Sequence, residues 1–256
     1  MAHRPRSLKH EYELYVEQEI EYYKESLPRH AMLRLGDEAV KSLAAQQQLA
    51  LTEVLLCAAV DDIVRSRVRL PSYSTWQRKR LKALREFARP ERWGWAPDGA
   101  IARTATAASH GHVLVAGAGA EERALYLAAN GCAVTALDSS PDVVEHVISV
   151  AAQVGLTGRI RGLAIDLGSW APDTPLSAVV CAAAALAPLS PVERARAIAL
   201  LQEATSVGGM HVVETGTDGA WLVPLEELSA IYSGWQTSVE PGVESTETFL
   251  ARKAAA

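Results

Sequence analysis

The residues best suited to chemistry lie between Val113 and Glu145, in the stretch VLVAGAGAEERALYLAANGCAVTALDSSPDVVE. Gly117 and Gly119, separated by Ala118, follow a β-type run and open a helical one. Asp138 closes the next β-type run, and Ser139-Ser140-Pro141 then starts another helix. Glycines at such a turn let backbone approach a nucleoside ligand. A carboxylate at the end of the following strand can accept hydrogen bonds from ribose hydroxyls.

Charge narrows the choice of nucleoside. A dinucleotide fingerprint requires a third small residue three positions after Gly119, where this chain has Glu122. Glu121 and Glu122 stand at the start of the helix, the end that favours anions, so a pyrophosphate would meet two carboxylates there. Like charges at close range in a partly dry site repel strongly. S-adenosylmethionine has no phosphate and sets a sulfonium and an ammonium against one carboxylate, so it suits an acidic loop. A methyl sulfonium needs little activation, and the main task is to hold a nucleophile about 3–3.5 Å from the methyl carbon. A base is required only where that nucleophile is protonated. No dedicated catalytic motif is therefore expected, and none is visible.

The remaining polar candidates are Glu214 and His211 on a late β-type run, and Tyr12 and Tyr15 on the first helical segment. Glu214 falls near a strand's carboxyl end, where ligands bind in open α/β sheets. A capping or surface role is the readier explanation of it, and His211 lies mid-strand and reads as a core or surface histidine. His110 and His112 have an HxH spacing but no further metal-ligand spacing nearby, so a solvated strand entry is expected and no metal. Cys57, Cys132 and Cys181 are widely separated and read as buried free thiols.

These groups need a scaffold. His112–Ala116, Ala133–Leu137, Ile160–Ala164, Ala178–Cys181 and Met210–Glu214 read as strands. Helices are expected at Glu121–Asn130, Pro141–Val154 and Pro191–Thr205. This alternation predicts an α/β fold: a Rossmann-like, doubly wound, mainly parallel sheet covered by helices on both faces. Trp235–Val239 and Thr246–Ala251, around Pro241-Gly242, predict a closing antiparallel hairpin.

The first hundred residues have no strand-like alternation. Glu11–Leu27 is helical in period with an acidic face, Asp37–Val68 reads as one longer helix, and Trp76–Phe87 reads as a basic helix. In the second of these, Val40, Leu43, Leu51, Val54, Leu55, Ala58 and Ile63 are available for a core. Pro90–Gly99 (PERWGWAPDG) reads as a connector. The expected organisation is an all-helical N-terminal domain over 1–95, acting as substrate lid or interaction module, and a ligand-binding domain over 105–256.

Composition excludes several classes. Hydrophobic residues make up 49% of the 256-residue chain and charged residues 21%, which excludes wholesale disorder. The longest apolar run, Ala178–Leu189, contains Pro188 and is shorter than the roughly 20 residues of a membrane span. Met1–Glu13 has no apolar leader core, so a cytoplasmic location is expected. Residues 65–92 carry 10 basic and 2 acidic residues, interleaved with aromatics, in a chain of net charge −5. Such a segment could track a nucleic-acid backbone. It could also form a wet helix face, bind a small anion, or pair with the acidic first helix within one chain or across a homodimer. The acidity of the whole weighs against nucleic acid.

Residues 111–253 resemble the class I S-adenosylmethionine-dependent methyltransferases, particularly the small kind typified by tellurite-resistance and thiopurine methyltransferases. Gly117 and Gly119 match the first two glycines of that family's first motif, and Ala124-Leu125-Tyr126-Leu127-Ala128 matches its helix. Val134–Asp138 matches the second motif, whose acid binds the cofactor ribose, and Ile165-Asp166-Leu167 matches the acid beside the adenine amino group. Val207-Gly208-Gly209-Met210 resembles the turn before the fifth strand, and Pro224–Leu228 the late helix leading to Gly234-Trp235. Val115, Glu121 and Ser177 depart from the pattern, which has an acid, a glycine and an acid there. The resemblance implies a cofactor shell of Gly117, Ala118, Gly119, Asp138, Ser139, Asp166, Leu167 and Cys181, and methyl transfer to an O, N or S atom of a small molecule. It leaves three alternatives: RNA methylation with 65–92 as docking module, a cofactor-binding pseudo-enzyme that recruits a partner, and transfer of the cofactor's aminocarboxypropyl arm.

Overall fold

The computed structural model describes residues 7–45, 53–117, 120–215, 223–241 and 247–254. The chain forms two compact units, residues 1–79 and 80–256, with the division inside one helix. Residues 80–95, read from the sequence with the helical region, thus group with the second unit.

The first unit is helical: α1 (Leu8–Ser26), α2 (Arg29–Ala45), α3 (Glu53–Arg67) and the first turns of α4 (Tyr73–Phe87). Ser7 caps α1 by accepting the His10 amide, and Leu27-Pro28 ends it. Val16, Ile20, Leu35 and Val64 form the small core, rimmed by Tyr12, Tyr15 and Met32. The longer helical pattern expected over Asp37–Val68 is helical in its described parts, in α2 up to Ala45 and in α3 from Glu53. Leu43 is buried, but Val40 and Val54 are exposed, as is Cys57. Leu51 lies outside the described residues.

In the second unit, α5 (Ala100–Ala107) leads into β1 (His112–Ala116), α6 (Ala120–Ala129), β2 (Ala133–Asp138), α7 (Pro141–Val154) and β3 (Ile160–Ala164). β4 (Leu176–Ala182), α8 (Ala183–Leu186), α9 (Pro191–Ala204), β5 (Thr205–Thr215), α10 (Leu225–Ile231), β6 (Gln236–Pro241) and β7 (Glu247–Arg252) complete it. The sheet order is β3-β2-β1-β4-β5-β7-β6. The first five strands are parallel, and β7 runs antiparallel to β5 and β6. This is the doubly wound sheet with closing hairpin that the alternating pattern predicts.

Strand alternation sorts side chains onto two layers. Val113, Val115, Val134, Ala136, Ala178, Val180, Val212 and Leu250 face α5, α6 and α7. Leu114, Ala116, Leu137, Val179, Cys181, Val213, Phe249 and Ala251 face α8, α9 and α10. Phe87, Trp93 and Trp95 join the first layer, where Trp95 meets the Tyr126 ring edge-on at 5.2 Å, so the expected connector is packed structure. The expected turn at Val207–Met210 lies inside β5, which begins five residues earlier than its apolar part and carries Gly208 at φ 79°.

Arg194 ties the second layer together near the carboxyl edge. It donates to both Glu227 carboxylate oxygens at 2.9 Å and to the Leu186 and Leu189 carbonyls at 3.2 and 2.9 Å. One guanidinium thus joins α8, α9 and α10. Ser190 and Glu193 form a reciprocal capping box at the start of α9. Replacing a buried ion-pair partner leaves the other charge uncompensated. Arg194→Met is therefore expected to lower the unfolding free energy by about 3 kcal/mol in denaturant titration. Val192→Ala, at an exposed position of the same helix, should change it by less than about 0.5 kcal/mol.

Candidate functional site

Strand order reverses between β1 and β4. In open α/β sheets ligands bind at such a reversal, outside the carboxyl ends of the strands. Here β1 ends at Ala116 and the chain turns at Gly117, with φ 91°. A Cβ at Gly117 would lie 2.9 Å from the Ala185 Cβ and 3.0 Å from the Ala185 amide nitrogen. Glycine is therefore required twice, by backbone conformation and by the approach of α8. The Gly117 amide donates to the Leu137 carbonyl at 3.0 Å, fixing the turn beside the end of β2. Ala118 and Gly119, expected in the cofactor shell, lie outside the described residues.

Asp138 ends β2, half-buried, and one carboxylate oxygen accepts the Ser140 amide at 2.8 Å. That bond aims the carboxylate and leaves its second oxygen for a ligand hydroxyl. The Ile165 amide donates to the Asp138 carbonyl at 2.9 Å, which sets Asp166 at the neighbouring strand end, exposed. Ser139 is exposed between them, and Leu167 is buried beneath. The geometry thus brings Gly117, Asp138, Ser139 and Asp166 to one stretch of the carboxyl edge.

Cys181 does not join them through its side chain. It is buried among Leu114, Val179 and Val213 on the opposite side of the sheet, and burial pushes its thiol up to about 12. Any ligand contact there would be through backbone. Ser177 is the second residue of β4, at the amino edge against Gly111, and so lies at the far end from the crevice. Val115 is fully buried in mid-strand between Ala136 and Val180.

Glu121 and Glu122 occupy the first turn of α6, as the repulsion argument requires. Glu121 turns toward α7 and pairs with His146 at 3.0 Å, while Glu122 is exposed. Glu214 sits one residue from the end of β5, level with Ala182, and forms an ion pair with Arg123 of α6. Sequence reasoning named Glu214 but missed Arg123, whose partner is 91 positions away and is found only through the sheet order.

His211 is sealed in the core. Its ring nitrogens meet Thr205 Oγ1 and Tyr232 Oη, both at 2.7 Å, and Trp235 lies over it at 4.8 Å. No nitrogen remains to reach a substrate, so its role is structural. Tyr15 belongs to the first unit, packed against Trp76 and Tyr12, and burial followed by Glu19 raises its hydroxyl above the ordinary value. His112 bridges Thr135 and Thr174 at 2.8 and 2.5 Å. No cluster of three metal-ligating side chains occurs among the described residues.

The residues present fit an adenosyl sulfonium. Acids stand at the ends of β2 and β3, Gly117 turns beside them with no side chain, and the first helical turn carries carboxylates in place of a phosphate cradle.

Comparison with solved structures agrees on the fold. TehB from Haemophilus influenzae superposes with a TM-score of 0.52 at 18% identity, over 64% of this chain and 65% of that one. An O-methyltransferase family protein from Burkholderia thailandensis gives 0.51 at 12%, over 62% and 54%. The glycopeptide N-methyltransferase MtfA complexed with S-adenosyl-L-homocysteine gives 0.50 at 15%, over 66% and 90%. The chain therefore spans less than two thirds of the length of the first two. No family model and no curated protein sequence matches the chain.

Two measurements check the site's physics. Gly117→Ala should cost about 2 kcal/mol or more in unfolding free energy, through the left-handed backbone and the contact with α8. His211 is neutral when folded, because burial and then Lys253 push it down to about 3 from its ordinary 6.5. The unfolded chain takes up that proton below pH 6.5 and the native state does not. Stability from this group is thus complete above about pH 6.5 and is lost as pH falls toward 3, by up to about 1.4 kcal/mol per pH unit. His211→Gln should flatten that slope between pH 6 and 4 in denaturant titrations; an unchanged slope would show that the ring does not contribute. The architecture these neighbours share with this chain is the Rossmann-like methyltransferase fold.

Proposed function

We propose that residues 80–256 bind S-adenosylmethionine at the carboxyl edge and direct its methyl group to an O, N or S atom of a small molecule by in-line displacement. The observation that carries this reading is Asp138, aimed by the Ser140 amide beside the Gly117 turn, at the reversal of strand order. When bound, the cofactor supplies an electrophilic methyl on a sulfonium whose leaving group is a neutral thioether. Asp138 would hold the ribose hydroxyls and Asp166 the adenine amino group, while Leu167 offers apolar backing. The Gly117 turn would let the backbone close on the ligand and exclude water. The complex of MtfA with S-adenosyl-L-homocysteine supports this choice of ligand class.

Binding of a small molecule by the helical unit is part of this reading. Within residues 1–79 a cavity of about 600 Å³ is lined by Tyr12, Val16, Arg65, Val68, Arg69 and Leu70, a size typical of small-molecule sites. Tyr12 is anchored there by donation to the Pro71 carbonyl at 2.9 Å.

The basic segment 65–92 supports a small acceptor rather than RNA, because much of its charge is used within the fold. Arg65 and Arg67 pair with Asp62 and Glu38. Arg80 donates to the Gly155 carbonyl, Arg89 pairs with Glu86, and Arg92 lies 4.2 Å over the Phe87 ring.

Calorimetric titration tests the reading. Both S-adenosylmethionine and S-adenosylhomocysteine should bind, and Asp138→Ala should weaken each about tenfold or more, the value of one or two hydrogen bonds to a charged acceptor. Absence of binding by either at millimolar concentration would remove it.

A further inference from the structure

The ion pair between Arg123 and Glu214 spans the crevice just described. Arg123 stands on α6, which follows β1; Glu214 is the penultimate residue of β5, on the other side of β4. The pair therefore crosses above the carboxyl end of β4, over the place where strand order reverses.

Both groups lie on one face of the sheet. Val115, Val180 and Val212 are register neighbours across β1, β4 and β5, and all three belong to the layer beneath α6. Glu214, two residues beyond Val212, points to that same layer one pleat nearer the edge. Arg123 precedes Ala124–Ala128, which pack there too. The row itself is apolar, and its β1 member is the buried Val115. The pair is accessible without being loose: Arg123 is 17% exposed and Glu214 21%.

The two ends of the crevice thus differ in charge. Toward β2 and β3 stand carboxylates, Asp138 and Asp166. Toward β5 stands one cation beside one anion. A ligand lying along this edge needs hydroxyls or an amine at one end and both signs of charge at the other. An α-amino acid group carries an ammonium and a carboxylate on a single carbon. Exchanging one mutual ion pair for two ligand pairs keeps every charge partnered, and guanidinium suits a carboxylate by its two parallel donors.

Resting on the reading that the crevice holds S-adenosylmethionine, we infer that Arg123 and Glu214 form the receptor for its amino-acid end, with Glu214 taking the ammonium and Arg123 the carboxylate. Glu214 is then a cofactor-positioning residue and not a base, and the pair supplies the charge that position 115 lacks. It also sets the required ligand class, since nucleosides without the amino-acid arm leave the pair unanswered.

Calorimetry with S-adenosylhomocysteine and 5′-methylthioadenosine, which lacks the arm, tests the assignment on the full chain. The unaltered protein should bind S-adenosylhomocysteine about thirtyfold tighter or more. In the double variant Arg123→Met/Glu214→Gln, that affinity should fall about tenfold or more while methylthioadenosine stays within about twofold. Circular dichroism establishes that the variant is folded. Equal affinities of the unaltered protein for the two nucleosides overturn the assignment without any variant and leave the adenosyl reading standing. An undiminished preference in the folded double variant, or equal loss for both ligands, overturns it as well. Failure of the unaltered protein to bind either nucleoside overturns the underlying reading together with the assignment.

Discussion

The crevice depends on a steric condition at Gly117. There the chain must leave β1 with a left-handed backbone while α8 passes close enough to touch any side chain. Meeting it requires two independent parts of the sequence to cooperate. One is the glycine. The other is the small-residue run Ala182–Ala185, which lets the helix after β4 close on the turn. With that contact made, the ends of β1 and β4 are held together, and the crossovers on either side diverge to opposite faces. The opening at the carboxyl edge is a consequence of this divergence. Arg194 extends the constraint by binding α8, α9 and α10 into one group, so the wall on the β4 side is fixed by a buried guanidinium as well as by apolar packing.

Charge then decides what this geometry can accept. A glycine turn leading into a helix is equally the start of a phosphate site, because the helix's free amides and dipole favour anions. Glu121 and Glu122 in the first turn of α6 already answer that dipole. Glu121 is further engaged by His146, whose exposed ring lies on the α7 side. The acid at the end of β2 is oriented by a backbone amide rather than by a cation, so its free oxygen remains an acceptor for neutral donors. These features favour a cationic, hydroxyl-bearing ligand over a dinucleotide. The same turn in a different charge environment would bind a different molecule.

Much of this was legible in the chain because the second unit obeys simple periodicities. Val113–Ala116 and Val134–Leu137 are short β-type runs between turn signals, and Pro141 and Pro191 mark true helix starts. The failures have specific causes. α5 (AIARTATA) carries two threonines that are poor helix formers; in the fold, Thr104 and Thr106 bond back to the Ala100 and Ala102 carbonyls, and the helix survives by burying Ile101, Ala102 and Ala105. Gly36 lies within α2 and Pro28 just before it, so a segment that looks broken is helical throughout. Gly208-Gly209 reads as a turn before the strand; in the fold it is an irregularity inside β5, where Gly208 has φ 79°, the register with β4 shifts, and backbone bonds to Lys253 hold it in the sheet. The resemblance places Cys181 in the cofactor shell, but alternation along β4 turns its side chain into the layer beneath α8, α9 and α10. Arg123 carried no local signal at all, because its partner is set by sheet order and not by spacing.

The placement of polar groups in β5 separates two tasks that the sequence presents together. His211 and Glu214 are three residues apart and both ionisable, yet the pleat sends them to opposite faces. On one face the imidazole lies with Thr205, Tyr232 and Trp235, dry and neutral, where it links strand, helix and hairpin. A charge there would have no counter-ion, and Lys253 nearby makes protonation still less favourable. On the other face the carboxylate reaches the crevice and meets a guanidinium. The strand thus turns a neutral donor–acceptor network inward and a charge pair toward the ligand edge, and only the second can exchange partners without disturbing the core. Polar groups whose hydrogen bonds are all internal contribute to stability, and those whose ion pair faces an opening remain available to a ligand. By that criterion Glu214 is the group of β5 that the proposal turns toward a ligand, and His211 is part of the structure that holds the strand in place.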